Sequence, residues 1–148
     1  NILNIRNATS SEFGPSKGSV VGLMSEWIKD GKLMKGTDKE LGGTMRLGSY
    51  AARLKKGSLI NSIYKSEKIF ERHRHRYEVN INFKDKFEDK GMIFSGLSPN
   101  MKLPEIIELK NHPWFIGVQF HPEFKSRPLA PHPLFSSFIK AAKIKSNK

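Results

Sequence analysis

The 148-residue chain contains no cysteine. That excludes a disulfide framework, a cysteine-ligated zinc and a cysteine nucleophile drawn from this chain. Long apolar runs are also missing. The longest are a few residues, such as Ile106-Ile107, far short of the roughly 20 a membrane helix needs. Asn1–Asn7 carries no signal-peptide pattern, and no internal repeat or low-complexity tract interrupts the chain. The first residue is not methionine, so the sequence reads as a fragment or a processed product. Acidic residues are scarce, with 14 Asp/Glu against 26 Lys/Arg and a net charge of +12. Six of those cations, and no acid, lie between Lys125 and the C-terminus, so half of the excess sits in the tail. A solvated, lysine-rich surface explains this balance, and a basic RNA-binding module is the alternative. With 37% hydrophobic residues in short clusters, the chain has enough to bury a core in a single domain, 1–148. A cytosolic location is the default expectation.

The pattern predicts a mixed α/β chain. Val20–Met24 reads as a short buried strand. Lys29–Lys39, charged and glycine-containing, reads as a turn and exposed loop. Leu41–Gly48, with three glycines, suggests a mobile loop, and Ala51–Lys56 is ambiguous. Ser58–Lys65 suits a short helix. Glu71–Asn80 alternates with period two. Phe83–Lys90 resembles a short amphipathic helix stopped at Gly91. Met92–Gly96, Glu105–Leu109 and Phe115–Phe120 read as three strands of an antiparallel meander, separated by Ser98-Pro99-Asn100 and Asn111-His112-Pro113. Pro133 suits a first helical position, and Leu134, Phe135, Phe138, Ile139 and Ala142 follow with helical spacing.

Four segments carry chemistry. Gln119-Phe120-His121-Pro122-Glu123-Phe124 follows an apolar strand, which places His121 just past a strand end. Pro122 biases His121 toward extended backbone. A carboxylate two residues away can bond one ring nitrogen, fix the tautomer and raise the basicity of the other nitrogen. An ordinary His-Pro turn with an exposed glutamate is the competing reading. In Glu71-Arg72-His73-Arg74-His75-Arg76-Tyr77-Glu78, a strand would put the arginines on one face and the histidines on the other. The arginines must then meet anions or carboxylates. A metal site from His73, His75 and His121 is a weaker possibility, since no carboxylate completes it. Leu41-Gly42-Gly43-Thr44-Met45-Arg46-Leu47-Gly48 matches no phosphate-loop or dinucleotide fingerprint. Ser11-Glu12-Phe13 offers a single loop carboxylate.

In this order the segments resemble the glutaminase domain of the CTP synthase family. The matching stretches are SSEF at 10–13, LGGTMRLG at 41–48, ERHRHRYEVN at 71–80, NHPWF at 111–115, QFHPEF at 119–124 and HPLFSSFIKAA at 132–142. FHPE is shared by many class I glutamine amidotransferases; RHRHRYE and GGTMRLG are narrower. The resemblance implies part of a flavodoxin-like α/β domain, a mixed sheet flanked by helices, with its N-terminal portion missing. It implies a ligase that makes CTP from UTP, ATP and glutamine, with ammonia released in the glutaminase domain by a Cys-His-Glu triad. His121 and Glu123 match the histidine and glutamate. Glu12 matches the acid that holds the α-amino group of glutamine, and Arg76 a glutamine-binding position. One anion and one cation are what a free amino acid needs at its two charged ends. Leu41–Gly48 resembles a lid linked to GTP activation, with Thr44 and Arg46 as effector-responsive residues. Mg and ATP would belong to a synthase domain outside this sequence, GTP would be an allosteric activator, and the full-length enzyme would be a homotetramer. No cofactor, metal, nucleic acid or membrane is expected for this chain. The nucleophilic cysteine departs from the pattern by its absence, so the chain alone is expected to be inactive. Another class I amidotransferase remains an alternative.

Overall fold

The computed structural model describes residues 2–14, 19–23, 26–29, 32–35 and 45–147. Thirteen strands and α-helices are assigned among them. In chain order they are β1 (Thr9–Ser10), β2 (Ser19–Leu23), β3 (Glu26–Lys29), β4 (Lys32–Lys35), β5 (Arg46–Leu54), α1 (Leu59–Tyr64), β6 (Lys68–His75), β7 (Tyr77–Val79), α2 (Lys84–Glu88), β8 (Met92–Leu97), β9 (Pro104–Leu109), β10 (Ile116–Val118) and α3 (Pro133–Ser146). The largest sheet has five strands in the order β10-β9-β8-β5-β6, all neighbours antiparallel. A three-stranded sheet, β1-β2-β7, pairs β1 with β2 in parallel and β2 with β7 antiparallel. β3 and β4 form a separate hairpin.

Period-two alternation shapes the site. Along β6, Ile69, Glu71 and His73 point inward while Lys68, Phe70, Arg72 and Arg74 face solvent. The expected division of arginines from histidines therefore holds for Arg72, Arg74 and His73. Arg76 lies past the end of β6, in the bend before β7. The meander β8-β9-β10 forms as its turn signals foretell. The core gathers Ala52, Leu54, Ile60, Ile69, Ile106, Phe120 and Leu134 between the large sheet and helices α1 and α3.

Two helices show why local sequence gives part of the answer. α1 begins at Ser58, whose hydroxyl accepts from the Asn61 amide at 3.2 Å. Its first two amides, Leu59 and Ile60, donate instead to the buried Glu108 carboxylate of β9, at 3.0 and 2.8 Å. α3 starts at Pro133 as expected, with His132 as its cap. Its apolar side differs from expectation. Leu134 is buried, but Phe135, Phe138 and Ile139 are all more than 40% exposed among the described residues.

Two segments depart from their sequence reading, and a third, left ambiguous, is resolved. Lys29–Lys39, read as loop, contributes Lys32–Lys35 to a hairpin, with Trp27 opposite Met34 and Ile28 opposite Leu33. The flanking charges hid this short apolar alternation. Ala51–Lys56 is strand as far as Leu54. Of Leu41–Gly48, residues 41–44, Thr44 among them, lie outside the described residues. Arg46–Gly48 is ladder rather than loop, because its backbone pairs with His73–His75. Gly48 holds φ +104° opposite His73, a backbone conformation in which a Cβ would be strained. No helix among the described residues is long and apolar enough to cross a membrane.

Candidate functional site

β10 delivers the chain to the site through a series of backbone anchors. The Gln119 amide donates to the Glu105 carbonyl at 2.9 Å, and the Phe120 side chain is buried. The His121 amide then donates to the Arg72 carbonyl at 2.8 Å, docking the turn on edge strand β6. His121 has φ −108° and ψ 92°, the extended backbone that a following proline favours. Pro122–Phe124 closes a single 3-10 turn, and that turn brings the Glu123 carboxylate to the Nδ1 side of the imidazole. Glu123 Oε1 lies 2.7 Å from His121 Nδ1. This bond is the main reason the Glu123 carboxyl is held below its ordinary range. The Phe124 ring stacks on the imidazole at 4.9 Å between centroids. Phe124 also joins Met45, Leu47, Arg72, His73 and Arg74 around an open cleft of about 470 Å³.

A second set of bonds straps this turn to the sheet. Lys125 Nζ donates to the Phe70 carbonyl at 2.7 Å and to Glu71 Oε1 at 3.2 Å. The same Glu71 oxygen accepts from Tyr64 OH at 3.0 Å and lies 3.2 Å from His132 Nε2. The Leu134 amide donates to His132 Nδ1 at 3.3 Å, so the proton of that ring sits on Nε2, toward Glu71. Burial alone would raise Glu71, but the bonds from His132, Lys125 and Tyr64 outweigh it and hold the carboxyl low. Burial, reinforced by the Glu71 charge, pushes the Tyr64 phenol up.

Behind the dyad lies a buried polar cluster. Arg46, only 3% exposed, bonds Glu78 Oε1 at 3.1 Å and Glu105 Oε1 at 2.7 Å, and its guanidinium lies 4.5 Å from the centre of the Tyr50 ring. Gln119 Nε2 donates to Glu78 Oε2 at 3.2 Å. His73 Nδ1 is 2.8 Å from His75 Nε2, and His75 Nδ1 is 3.1 Å from the Tyr77 carbonyl. Burial pushes Glu78 up to about 7 against the pull of Arg46. Burial and the Arg46 charge push His73 down to about 3 and His75 to about 4, and a charge on His121 acts in the same direction on both.

The remaining candidates are placed as follows. Glu12 is exposed in the 3-10 turn Ser11–Phe13 that leaves β1. That turn lies over β2: the Ser11 hydroxyl is 3.7 Å from where a Cβ on Gly22 would be. β2 pairs with β7, with Gly22 opposite Glu78 and Leu23 opposite Tyr77. By register, Glu12 and Arg76 therefore flank the same end of the three-stranded sheet. Arg46, expected in a lid, is instead an internal strut of β5. Among the described residues no group of three His, Asp or Glu side chains is placed to hold a metal ion, so His73, His75 and His121 form no such set. Sequence reasoning missed Glu105, Glu71, Lys125 and His132. A glutamate opening the apolar strand Glu105–Leu109 was the available signal, since a charge on a buried strand requires a partner.

Over 143 residues the chain is 78% identical to the CTP synthase of Pelagibacter ubique (strain HTCC1062), covering 97% of this chain and 27% of that protein. It is 62% identical to the CTP synthase of Hyphomonas neptunium (strain ATCC 15444), covering 96% of this chain and 26% of that one. The chain thus spans about a quarter of the length of these curated relatives. Among solved structures, the glutaminase domain of Trypanosoma brucei CTPS with bound acivicin superposes with a TM-score of 0.81 at 34% identity, over 97% of this chain and 53% of that one. The model of the family "Glutamine amidotransferase class-I" matches residues 12–141, and the chain belongs to that family.

Proposed function

We propose that this chain supplies the base and its orienter to the glutaminase reaction of a CTP synthase. The observation that carries the reading is the 2.7 Å bond between His121 Nδ1 and Glu123 Oε1. With Nδ1 committed to the carboxylate, Nε2 is the nitrogen offered to a nucleophile. In this reading a cysteine from outside the sequence gives its thiol proton to His121 Nε2 and adds to the carboxamide carbon of glutamine. The C–N bond breaks, His121 returns the proton to the departing nitrogen, and ammonia leaves. Water then hydrolyses the thioester to glutamate, with His121 again acting as base. Glu123 stays ionised and stabilises the imidazolium that forms in each half.

Glu12 and Arg76 hold the α-amino and α-carboxylate ends of glutamine, and the register that brings them to one end of a sheet supports that pairing. The ammonia serves a synthase domain that converts UTP and ATP to CTP, where Mg would act. The chain's own described residues do not fit a metal, and no step here runs through one. Thr44 and Arg46 belong to the response to GTP. For Arg46 that response would pass through the buried cluster, since its guanidinium is not on the surface. A tetrameric, cytoplasmic enzyme completes the reading. The test is glutamine hydrolysis by the full natural chain and its H121N variant. Loss of ammonia release in H121N, with glutamine binding retained, is expected; an unchanged rate overturns the assignment.

A further inference from the structure

Hydrogen-bond arithmetic fixes the protons of the buried cluster. A carbonyl only accepts, so the 3.1 Å contact between His75 Nδ1 and the Tyr77 oxygen puts a proton on Nδ1. In the neutral ring Nε2 then carries a lone pair. His73 Nδ1 lies 2.8 Å from that lone pair and must donate to it. Neutral His73 is left with an acceptor at Nε2, and this faces Glu105 Oε2 at 3.7 Å. That oxygen is buried and receives no donor. Two lone pairs facing each other in the interior are unfavourable.

The two carboxyls that share Arg46 are not equivalent. Glu78 has a donor at each oxygen, Arg46 at one and Gln119 at the other. Those two donors suit a carboxylate and oppose the burial that raises Glu78, and its charge balances the guanidinium. Glu105 accepts from Arg46 at Oε1 and faces an acceptor at Oε2. One accepting and one donating oxygen is the layout of a carboxylic acid.

We propose that Glu105 is an un-ionised acid whose Oε2 proton faces the His73 Nε2 lone pair across 3.7 Å, a gap too long for a hydrogen bond. It stands at the head of two one-way hydrogen bonds, His73 to His75 and His75 to the Tyr77 carbonyl, an order that keeps both imidazoles neutral beside His121. The charged and titratable groups that act on Glu105 are Arg46 from β5, His73 from β6 and Glu78 from β7, with His75 one step further along through His73. Burial raises Glu105 and lowers His73, but it raises Glu78 as well, so the choice between the two carboxyls rests on the donors at their oxygens. A cationic His73 or His75 would repel the proton that His121 takes up. Glu105 is in this sense a positioning residue. That consequence rests on His121 being the base, whereas the proton assignment does not.

Neutron diffraction from deuterium-exchanged crystals of the full natural protein at neutral pH tests the assignment directly. Deuterium is expected on Glu105 Oε2 and on Nδ1 of both His73 and His75. Deuterium on His73 Nε2, or a bare Glu105, overturns the proposal whether or not glutamine is hydrolysed. E105Q keeps an acceptor toward Arg46 and a donor toward His73. Its glutamine hydrolysis should keep the same pH midpoint and a rate within about twofold, because no transition-state interaction is removed. E105L, which lacks both groups, should lower the rate and displace the midpoint. Equal damage from both variants counts against the proposal, and the neutron map of the unmutated protein decides if neither folds.

Discussion

At the scale of single residues, His121 and Glu123 sit close to solvent, with their side chains 35% and 56% exposed. A pair so open gains little from its charges alone. Its value lies in geometry, because Glu123 selects which nitrogen of His121 carries a lone pair. E123Q in the full natural chain can offer its amide to Nδ1 and stabilise the wrong tautomer. Its kcat for glutamine hydrolysis should fall by about 10²–10⁴, the range expected when an orienter is lost, with KM little changed. Steady-state kinetics decide this, and a fall confined to KM would refute it. The pH dependence follows from the depressed Glu123 carboxyl. A carboxyl held low in the fold contributes its bond above its ordinary pKa and loses it as pH falls through the depressed value. The His121 Nδ1–H···Glu123 proton signal in NMR should therefore persist on acidification past the usual carboxylate range and disappear below it. A signal lost at ordinary carboxylate pH would contradict the shift. This dyad was legible in the sequence because both partners lie within three residues. Glu105 and Glu78 were not, since their common partner Arg46 is separated from them by 59 and 32 positions.

At the scale of elements, the turn His121–Lys125 has only one regular turn of its own and depends on β6 to hold it. The His121 amide and Lys125 Nζ grip three successive residues of that strand, Arg72, Phe70 and Glu71. K125M removes the second grip and leaves the ring and carboxylate untouched. Glutamine hydrolysis should drop by about tenfold, the scale of a small misplacement of a catalytic group, and K125R should restore most of it. A pH–rate profile separates positioning from basicity, because K125M should lower the curve without moving its midpoint. Helix α1 makes the parallel case for stability. Its first amides end on Glu108, so E108A should cost about 1–2 kcal/mol, the worth of a helix cap, read from the urea midpoint. An unchanged midpoint would mean that solvent replaces the carboxylate at no cost. The helix itself was visible from Ser58 and its spacing, but not its cap on a strand 48 positions away. The β3–β4 hairpin was invisible for the opposite reason, since charged ends masked apolar pairs only two residues long.

For the whole molecule, the close packing of β8 on β9 limits what the core will accept. A Cβ on Gly96 would lie 2.6 Å from Ile106 Cγ1, and Ile106 is 1% exposed with no room to retreat. G96A should therefore destabilise the protein by about 1–3 kcal/mol through overpacking, whereas G57A, whose Cβ meets nothing, would be strained only by its backbone. Chemical denaturation of the two variants compares these effects, and equal losses would argue against packing as the cause. The larger constraint is chemical. The whole sequence has no cysteine, while the site holds an imidazole already oriented by a carboxylate, the base of the proposed reading. Orientation fixes which nitrogen of His121 can accept a proton but creates no nucleophile, and water held only by an exposed imidazole lacks the electrostatic stabilisation that acyl transfer needs. The 148-residue chain purified alone should release no ammonia from glutamine above the buffer rate. On the proposed reading, adding a polypeptide that carries the nucleophilic cysteine segment should restore hydrolysis, and H121N in the 148-residue piece should abolish the restored rate. Ammonia release by the isolated chain would refute the division of labour between base and nucleophile. Restoration that survives H121N would place the base elsewhere.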